Sequence, residues 1–474
     1  MKTRFKMPSA YMIIFGIIVR VAVLSWIIPG GAYDYVDPNA DKLQPIAGTF
    51  HEVASNPQGF MQILSAPVNG FIDSVDIILY TLVIGGFLAV VMETGAINAG
   101  IGHTIKKLNG KDLLLVPVLM GLFSLAGALF GIEEETLPFF PVLIPVFIAA
   151  GYDTLTAIAV VKLGAALGVM ASVANPFAVA IASRFAGISM GDGIVIRLVL
   201  LAIYIPAGIL FVMYYAKKIK ADPSKSLVYA QYDENKRFFL KNADFQELPE
   251  LTTKRKLILI VFALAFMIMM WGVLPWEDLG ITIIPTLGWW FNDLSTVFMT
   301  ASILVAIIAG MKEEQFLDTF INGAKDLLSV AIIIGVARGV SVIMNDASIT
   351  DTILHEGETI LANTSSAVFA VASFFVYIVL SIFVPSSTGL ATLSMGIMAP
   401  LADFAGTGRE IVIIAYQAGN AVVCLLAPTV GLLMGVLTMT KTSYGVWLKF
   451  IWKFMVFIVI VTCIVLGVAS TMCG

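Results

Sequence analysis

Gly131-Ile-Glu-Glu-Glu-Thr-Leu-Pro-Phe-Phe-Pro141 places three carboxylates and two prolines in the middle of a long apolar run. Once the prolines are counted, neither flanking arm, 113–130 or 142–150, reaches the roughly 20 apolar residues of a membrane-spanning helix. Glycine and proline favour a break in the helix at this point. Backbone that stops being helical at membrane depth must be buried in protein or line a cavity. We therefore predict a re-entrant hairpin over 113–150 whose acidic tip lies inside the protein.

The simpler alternative is an ordinary water-exposed loop that carries Glu133, Glu134 and Glu135. Ionised side chains inside a membrane are costly and usually mark a function. We favour the buried tip, because three adjacent carboxylates at that depth would not persist without a role.

A second stretch, Pro385-Ser-Ser-Thr-Gly-Leu-Ala-Thr392, interrupts another apolar run in the same way. The returning arms at 141–151 and 396–406 resemble each other, since each ends at a glycine and Pro145 matches Pro400 in register. We predict a second hairpin over 366–405. Two similar hairpins far apart in the chain indicate an internal repeat, which is typical of transporters.

The composition indicates a protein embedded in lipid. The chain has 474 residues, of which 59% are hydrophobic and 13% are charged. Many apolar runs are continuous and reach spanning length, which predicts an all-α polytopic membrane protein. No basic patch is interleaved with aromatic residues, so we expect no nucleic-acid partner. The three cysteines and three histidines are scattered without metal-ligand spacing, and no nucleophile–base pair is evident. We expect no metal, no cofactor and no enzymatic activity.

Basic residues orient the chain, because cytoplasmic loops of membrane proteins carry an excess of Lys and Arg. They put 103–111 and 217–256 inside the cell, with the N-terminus inside and the C-terminus outside a bacterial cytoplasmic membrane. A polar external segment is expected at 30–67, and an amphipathic helix lying along the surface at 312–325. The predicted crossings are 11–28, 75–92, 155–182, 197–215, 257–274, 297–309, 327–344, 411–438 and 446–470.

In this orientation the first hairpin enters from inside and the second from outside, so the two halves are inverted repeats. Each half also has an interrupted helix, with Asn-Pro at 175–176 in one and Leu-Leu-Ala-Pro-Thr at 425–429 in the other. This arrangement favours alternating access over a continuous channel. The expected division is a first repeat at 1–216 with its hairpin at 113–150, a cytoplasmic linker loop at 217–256, a joining helix and external segment at 257–296, and a second repeat at 297–474 with its hairpin at 366–405.

The hairpin tips and interrupted helices of inverted repeats place a binding site near the membrane midplane. Three adjacent glutamates there must attract cations or hold a proton, which predicts a cationic substrate or coupling to a proton or a sodium ion. Hydroxyl groups at the second tip, together with helix N-termini, suit a carboxylate. The predicted substrate-binding residues are Glu133, Glu134, Glu135, Thr136, Asn175, Ser386, Ser387, Thr388, Asn420 and Thr429.

Two basic side chains lie within the apolar helices. Lys162 follows the first hairpin and Arg338 precedes the second. We predict that they are internal partners of the glutamates, or else members of purely structural ion pairs. Asn420 and Gln417 lie on the second interrupted helix, where they either face the cavity or form hydrogen bonds between helices.

Several motifs resemble the YfcC family of transporters, which is related to the anaerobic four-carbon dicarboxylate carriers of the ion transporter superfamily. The resemblance rests on 134–153, Pro-Ser-Ser-Thr-Gly at 385–389, Met-Ala-Pro-Leu-Ala-Asp at 398–403, Lys-Met-Pro at 6–8 and Trp-Ile-Ile-Pro-Gly-Gly at 26–31, and so covers nearly the whole chain. It implies a secondary transporter, working as a homodimer by an elevator motion of a hairpin-bearing domain. The chain lacks the paired Ser-Asn-Thr tips of the dicarboxylate/sodium symporter branch.

Family members are described both as dicarboxylate carriers and as arginine/ornithine exchangers, so the resemblance leaves the substrate open. An acidic tip facing a hydroxyl-rich tip suits a zwitterionic or cationic amino acid, whereas a dianion would meet the glutamates unfavourably. We therefore rank exchange of basic amino acids slightly above proton- or sodium-coupled transport of a four-carbon dicarboxylate or other organic anion. No Walker motif is present in the sequence, which leaves ATP-driven transport by this chain unsupported.

Overall fold

The structure is a computed structural model, and it describes residues 10–36, 45–97, 99–100, 112–173, 175–240, 250–273, 276, 283–361 and 364–472. Within these residues the fold is helical apart from one two-stranded hairpin, and eight helices are long and apolar enough to cross a membrane. The predicted class of all-α polytopic membrane protein is therefore confirmed. The basic segment at 103–111, which helped to orient the chain, lies outside the described residues.

The helices of the first half precede the residues that are not described at 241–249. They are α1 (Ala10–Leu24), α2 (Phe60–Asp73), α3 (Val75–Glu93), α4 (Leu115–Phe130), α5 (Phe139–Ala149), α6 (Thr154–Met170), α7 (Ile181–Ala186), α8 (Ile194–Ala221) and α9 (Tyr232–Leu240). The strands β1 (Gly31–Ala32) and β2 (His51–Glu52) pair antiparallel between α1 and α2.

The second half continues with helices of similar lengths. They are α10 (Thr253–Val273), α11 (Phe291–Ala309), α12 (Glu313–Asp326), α13 (Leu328–Asp346), α14 (Thr350–Leu361), α15 (Ser366–Phe383), α16 (Ser387–Phe404), α17 (Arg409–Leu426), α18 (Gly431–Met439) and α19 (Tyr444–Met472). One order of elements occurs twice along the chain: a kinked helix pair, a helix–break–helix hairpin, an interrupted helix and a long final helix.

Each hairpin is two helices joined by a short polar tip. We call 131–138 the first tip and 384–388 the second tip. In the first, α4 ends at Gly131, whose φ of 70° is left-handed and therefore favours glycine, and one 3₁₀ turn follows before α5. In the second, Ser386 caps α16 by accepting a hydrogen bond from the Gly389 N–H at 3.2 Å. Glycine, proline and serine thus place the two breaks where the sequence predicts them.

The first arm differs from our prediction in length. The helical stretch Asp112–Leu129 is long and apolar enough for a crossing, so our inference that this arm is too short is wrong. One face of the arm packs closely on α6. A Cβ added at Gly168 would lie 1.9 Å from the Ser124 carbonyl oxygen, and one at Gly127 would lie 2.2 Å from that of Ala165.

The interrupted helices break at their prolines. The first is α6, then 171–175, then a π-helical turn at Pro176–Ala180 that leads into α7. The second is α17, then Ala427 to Val430 around Pro428, then α18. Proline lacks the N–H that would continue the helix, which explains why each helix stops at this point.

A glycine seam joins the two halves. We use this name for the contact of α2–α3 with α12–α13. A Cβ on Gly70 of α2 would lie 2.3 Å from the Gly335 carbonyl oxygen of α13. Reciprocally, a Cβ on Gly323 of α12 would lie 2.3 Å from the Gly85 carbonyl oxygen of α3. Only residues without a side chain allow helix backbones to approach so closely.

This seam corrects two expectations. The segment 30–67 is not wholly an external loop, because α2 begins at Phe60 and is already part of the packed helices. The amphipathic helix expected at 312–325 is present as α12, but it packs along α3 through Gly323. Polar flanking residues and the internal Pro67 concealed α2 in the sequence.

The linker predicted as a loop at 217–256 is partly helical. α8 continues to Ala221, and α9 follows at Tyr232–Leu240. The linker is tied to the start of α6 through the buried Asp153, which accepts a hydrogen bond from the Ser226 hydroxyl of the linker at 2.6 Å and another from the Tyr215 hydroxyl of α8 at 2.7 Å. This part of the linker is therefore docked on the protein.

Candidate functional site

A cavity of about 300 Å³ lies where both hairpin tips and both helix breaks meet. Its wall is completed by the kink between α2 and α3, the start of α11 and the middle of α13. The lining residues that carry polar side chains are Asp73, Ser74, Asp76, Glu133, Glu134, Glu135, Asn175, Trp290, Arg338, Ser386, Ser387, Thr388, Asn420, Cys424 and Thr429.

Nine of the ten residues that we predicted to bind substrate line this cavity, and the exception is Thr136. Thr136 is fully buried, and its hydroxyl donates a 2.5 Å hydrogen bond to the Glu133 carbonyl oxygen. Its role is therefore to hold the turn of the first tip, because its one donor is spent inside that turn.

Glu133 is held by a buried lysine. Lys162 Nζ lies 2.8 Å from Glu133 Oε2, and the two side chains are 1% and 13% exposed. Lys162 projects from a π-helical turn, Ala159–Leu163, within α6; such turns often occur at functional sites. The second carboxylate oxygen of Glu133 has no hydrogen-bond partner among the described residues. This ion pair fixes the first tip against α6 and leaves one acceptor available.

We had considered Arg338 as a partner of the glutamates, but it pairs with Asp73. Its Nε donates to Asp73 Oδ2 at the end of α2, so the ion pair joins α13 to α2 across the glycine seam. Both side chains line the cavity. Arg338 thus lines the cavity, whereas Lys162 does not line it and lies behind Glu133.

The second tip offers hydroxyl groups at the start of α16. The Ser386 oxygen accepts from Gly389, which leaves its O–H free to donate to a ligand. The Tyr416 hydroxyl donates to the Ser387 carbonyl oxygen at 2.5 Å and so anchors the tip to α17. Neutral donors at a helix N-terminus suit an anionic group.

The amide side chains mostly hold the breaks in place. Asn420 Nδ2 donates to the Pro385 carbonyl oxygen at 3.2 Å and to Ser381 Oγ at 3.4 Å, which ties α17 to the second hairpin. Gln417 lies outside the cavity lining and donates to Ser172 Oγ at 2.5 Å, so the interhelical alternative holds for it. Asn175 Oδ1 accepts from the Ala178 N–H at 3.1 Å.

Thr429 differs from these anchoring groups. Its hydroxyl is buried, lines the cavity and has no hydrogen-bond partner among the described residues. A buried polar atom left without a partner costs free energy, so this hydroxyl is suited to contact a ligand.

Sequence reasoning missed five polar residues of the wall, which are Asp73, Ser74, Asp76, Trp290 and Cys424. Asp73 and Asp76 flank the kink between α2 and α3, and the Trp290 indole N–H donates to Asp76 Oδ2 at 2.9 Å. The available signal was a pair of carboxylates beside an apolar helix, which the assignment of 30–67 to a loop had obscured. Cys424 also lines the cavity.

The cavity carries an excess of negative groups. The five carboxylates in its lining are Asp73, Asp76, Glu133, Glu134 and Glu135. Only Asp73 and Glu133 form ion pairs with basic side chains in the described part of the chain. In their ionised forms these carboxylates favour a positively charged occupant. Among the described residues, no group of three or more His, Cys, Asp or Glu is arranged to hold a metal ion.

Comparison with known proteins agrees with the resemblance noted in the sequence. A protein of Haemophilus influenzae described as uncharacterized is 35% identical over 95% of this chain and 94% of its own length. A protein of Escherichia coli described as a putative basic amino acid antiporter, YfcC, is 30% identical over 94% of this chain and 93% of its own length. The predicted YfcC relationship is confirmed.

Two solved transporter structures have low similarity to the fold. Neisseria gonorrhoeae MtrF, described within a class of antimetabolite efflux pumps, gives a TM-score of 0.43 at 16% identity and covers 99% of this chain and 96% of its own. The Alcanivorax borkumensis YdaH transporter gives 0.44 at 11% identity and covers 97% and 98%.

The model of the DcuC family, described as the C4-dicarboxylate anaerobic carrier, matches residues 7–471. The match spans both hairpins, both interrupted helices and the glycine seam. The protein is therefore a membrane transporter, not an enzyme, and it belongs to the DcuC family.

Proposed function

We propose that the protein is a secondary active transporter of the bacterial cytoplasmic membrane that carries a basic amino acid, in arginine/ornithine-type exchange. The observation that carries this proposal is the excess of carboxylates in the cavity, five against the single basic lining residue among the described residues, Arg338. A guanidinium or ammonium group would bind Glu134 and Glu135. The substrate carboxylate would bind the hydroxyl groups of the second tip. The name of the Escherichia coli relative points to the same class of substrate.

The second candidate is a four-carbon dicarboxylate or another organic anion, coupled to a proton or a sodium ion. The description of the family favours it, and so do the neutral donors at the start of α16. A dianion would require at least one glutamate to be protonated or neutralised by a cation, because like charges repel strongly in a partly dry site.

Binding to the detergent-purified protein distinguishes the two candidates. Isothermal titration calorimetry with arginine, ornithine, succinate and malate, each with and without sodium, should give heat only for the two amino acids. In proteoliposomes loaded with ornithine, external arginine should exchange without an imposed ion gradient. Binding of succinate alone would overturn the proposal in favour of the dicarboxylate carrier.

Glu134→Gln tests the acidic tip directly. It keeps the shape of the side chain but removes the charge, so arginine binding should weaken by about 1.5–3 kcal/mol, on the order of ten- to a hundredfold, as a charge-assisted hydrogen bond is lost. The matched control is Glu52→Gln on the exposed strand β2, which should bind like the wild type. Unchanged arginine affinity in the Glu134 variant would remove the first tip from the binding site.

The proposed mechanism is an elevator motion in which both hairpins and both interrupted helices move as one unit. The static part would be the glycine seam with α10 and α11. Two features support inverted repeats: the order of elements occurs twice, and α2 packs on α13 as α12 packs on α3. A homodimer formed through the static part belongs to the same proposal, and light scattering of the purified protein checks it.

The proposal assumes an internal N-terminus, an internal linker and an external C-terminus. Lys236 on α9 and Glu356 on α14 are both exposed and lie on opposite sides in this orientation. In intact cells, a membrane-impermeant maleimide should label Glu356→Cys but should label Lys236→Cys only after permeabilisation. The reverse pattern would invert the assignment.

A further inference from the structure

Arg338 is more exposed to a ligand than Lys162, the basic residue that pairs with Glu133. Its side chain is 38% exposed and that of its partner Asp73 is 48% exposed, whereas Lys162 is 1% exposed behind Glu133. Arg338 is also the one Lys or Arg in the cavity lining, as far as the structure describes the chain. It is therefore the basic group that a substrate in this cavity can reach.

The guanidinium of Arg338 is only partly used by the protein. Its Nε donates to Asp73, and neither terminal nitrogen has a hydrogen-bond partner among the described residues. A guanidinium carries five N–H donors in a planar fork that matches the two oxygens of a carboxylate. The unused edge of the fork is the part that binds carboxylates in a bidentate manner.

The backbone beneath Arg338 is held rigidly. Arg338 lies between Gly335 and Gly339 of α13, and a Cβ on Gly70 of α2 would lie 2.3 Å from the Gly335 carbonyl oxygen and 2.5 Å from the Gly339 nitrogen. The same contact brings the end of α2, and with it Asp73, beside Arg338. A binding group on a rigid element positions a ligand more accurately than one on a loop.

We propose that Arg338 is the charged receptor for the substrate carboxylate, which the hydroxyl groups of the second tip also bind, and that Asp73 is the counter-ion of Arg338 before a substrate binds. The inference rests on the proposed function and narrows it. The acidic tip alone would accept any cation, including a diamine. With Arg338 in the wall, the preferred substrate carries a carboxylate as well as its cationic group, which selects a basic amino acid over the corresponding decarboxylated amine.

The experiment compares L-arginine with agmatine, which is arginine without its carboxylate, by calorimetry on the purified protein. Wild type should bind arginine about ten- to a hundredfold more tightly than agmatine, because only arginine makes the charge-assisted bonds to Arg338. Arg338→Gln should reduce this ratio severalfold or more, by weakening arginine while agmatine binds at least as well as before. The hydroxyl groups of the second tip account for the preference that remains. Arg338→Lys should restore only part of the ratio, since a single ammonium lacks the fork.

The double variant Arg338→Gln/Asp73→Asn guards against a folding defect, since it removes both members of the ion pair and leaves no unpaired charge. It should show the same reduced ratio as Arg338→Gln, and a wild-type melting temperature. Equal weakening of both ligands in the Arg338 variants, or an unchanged ratio, would overturn the assignment of Arg338 while leaving the proposed function intact. If the wild type binds neither compound, the proposed function fails, and the assignment fails with it.

Discussion

Glu133→Gln should destabilise the protein by about 3–5 kcal/mol, because it leaves the buried Lys162 ammonium without a counter-charge. Lys162 is 1% exposed, so neither water nor lipid headgroups can replace the lost carboxylate. We expect a large fall in the yield of folded protein and in the melting temperature measured in detergent.

Two further variants test whether the loss of stability comes from the Glu133–Lys162 ion pair or from any substitution in the first tip. Glu134→Gln makes the same chemical change one residue away, at a carboxylate with no ion pair among the described residues, and it should change the melting temperature little. The double variant Glu133→Gln/Lys162→Met removes both charges and should recover most of the lost stability, since replacing a buried ion pair with apolar groups is often neutral. A double variant as unstable as Glu133→Gln would contradict a role for Lys162 as its partner.

A disulfide between α13 and α18 should abolish transport, since these helices belong to the static and moving parts of the proposed elevator. A Cβ built at Gly435 lies 3.7 Å from Val330 Cβ, close to the mean of about 3.8 Å in disulfides. Val330→Cys/Gly435→Cys, in a background without Cys424, Cys463 and Cys473, should crosslink on oxidation. Exchange in proteoliposomes should then fall to background and return on reduction, while binding persists.

The controls are the single variant Val330→Cys oxidised in the same way and the double variant kept reduced, and both should keep their activity. A second pair, Ala337→Cys with Gly431→Cys, crosses the same contact with a Cβ separation of 3.4 Å. Both residues line the cavity, so the test for this pair is the loss and recovery of exchange alone. If a gel shows that the protein is crosslinked and it still exchanges at the full rate, the elevator mechanism is wrong.

The parts of the site that could be predicted from the sequence are those where local chemistry conflicts with a membrane helix. Glu133 and Ser386 stand beside glycine or proline inside apolar runs, and Asn175 and Thr429 stand at helix breaks. Each conflict is visible within a few residues, because a charge, a missing N–H or a left-handed φ cannot be accommodated in a continuous apolar helix. All four of these residues line the cavity.

The parts that could not be predicted depend on contacts between distant segments. Arg338 and Asp73 are 265 positions apart, and no local pattern indicates that they form an ion pair. The glycine seam is equally hidden, because Gly70 and Gly335 have ordinary sequence neighbours. Their role appears only when two backbones meet at that spot. For Thr136 the local sequence was misleading. We predicted that it binds substrate because it follows three glutamates, but its hydroxyl donates to the Glu133 carbonyl oxygen and so holds the turn.

The glycine seam also has a length that matters for the surrounding lipid. α2 and α3 contribute 14 and 19 residues, which at about 1.5 Å per residue gives a rod on the order of 50 Å, whereas the hydrocarbon core is about 30 Å thick. Such a rod must tilt, bend at its kink or project from the bilayer. The ion pair of Asp73 and Arg338 lies at that kink. We therefore expect the acyl-chain length of the lipids to change the tilt of the seam or the bend at its kink. Because the kink forms part of the cavity wall, the thickness of the membrane would then change the geometry of the transport site.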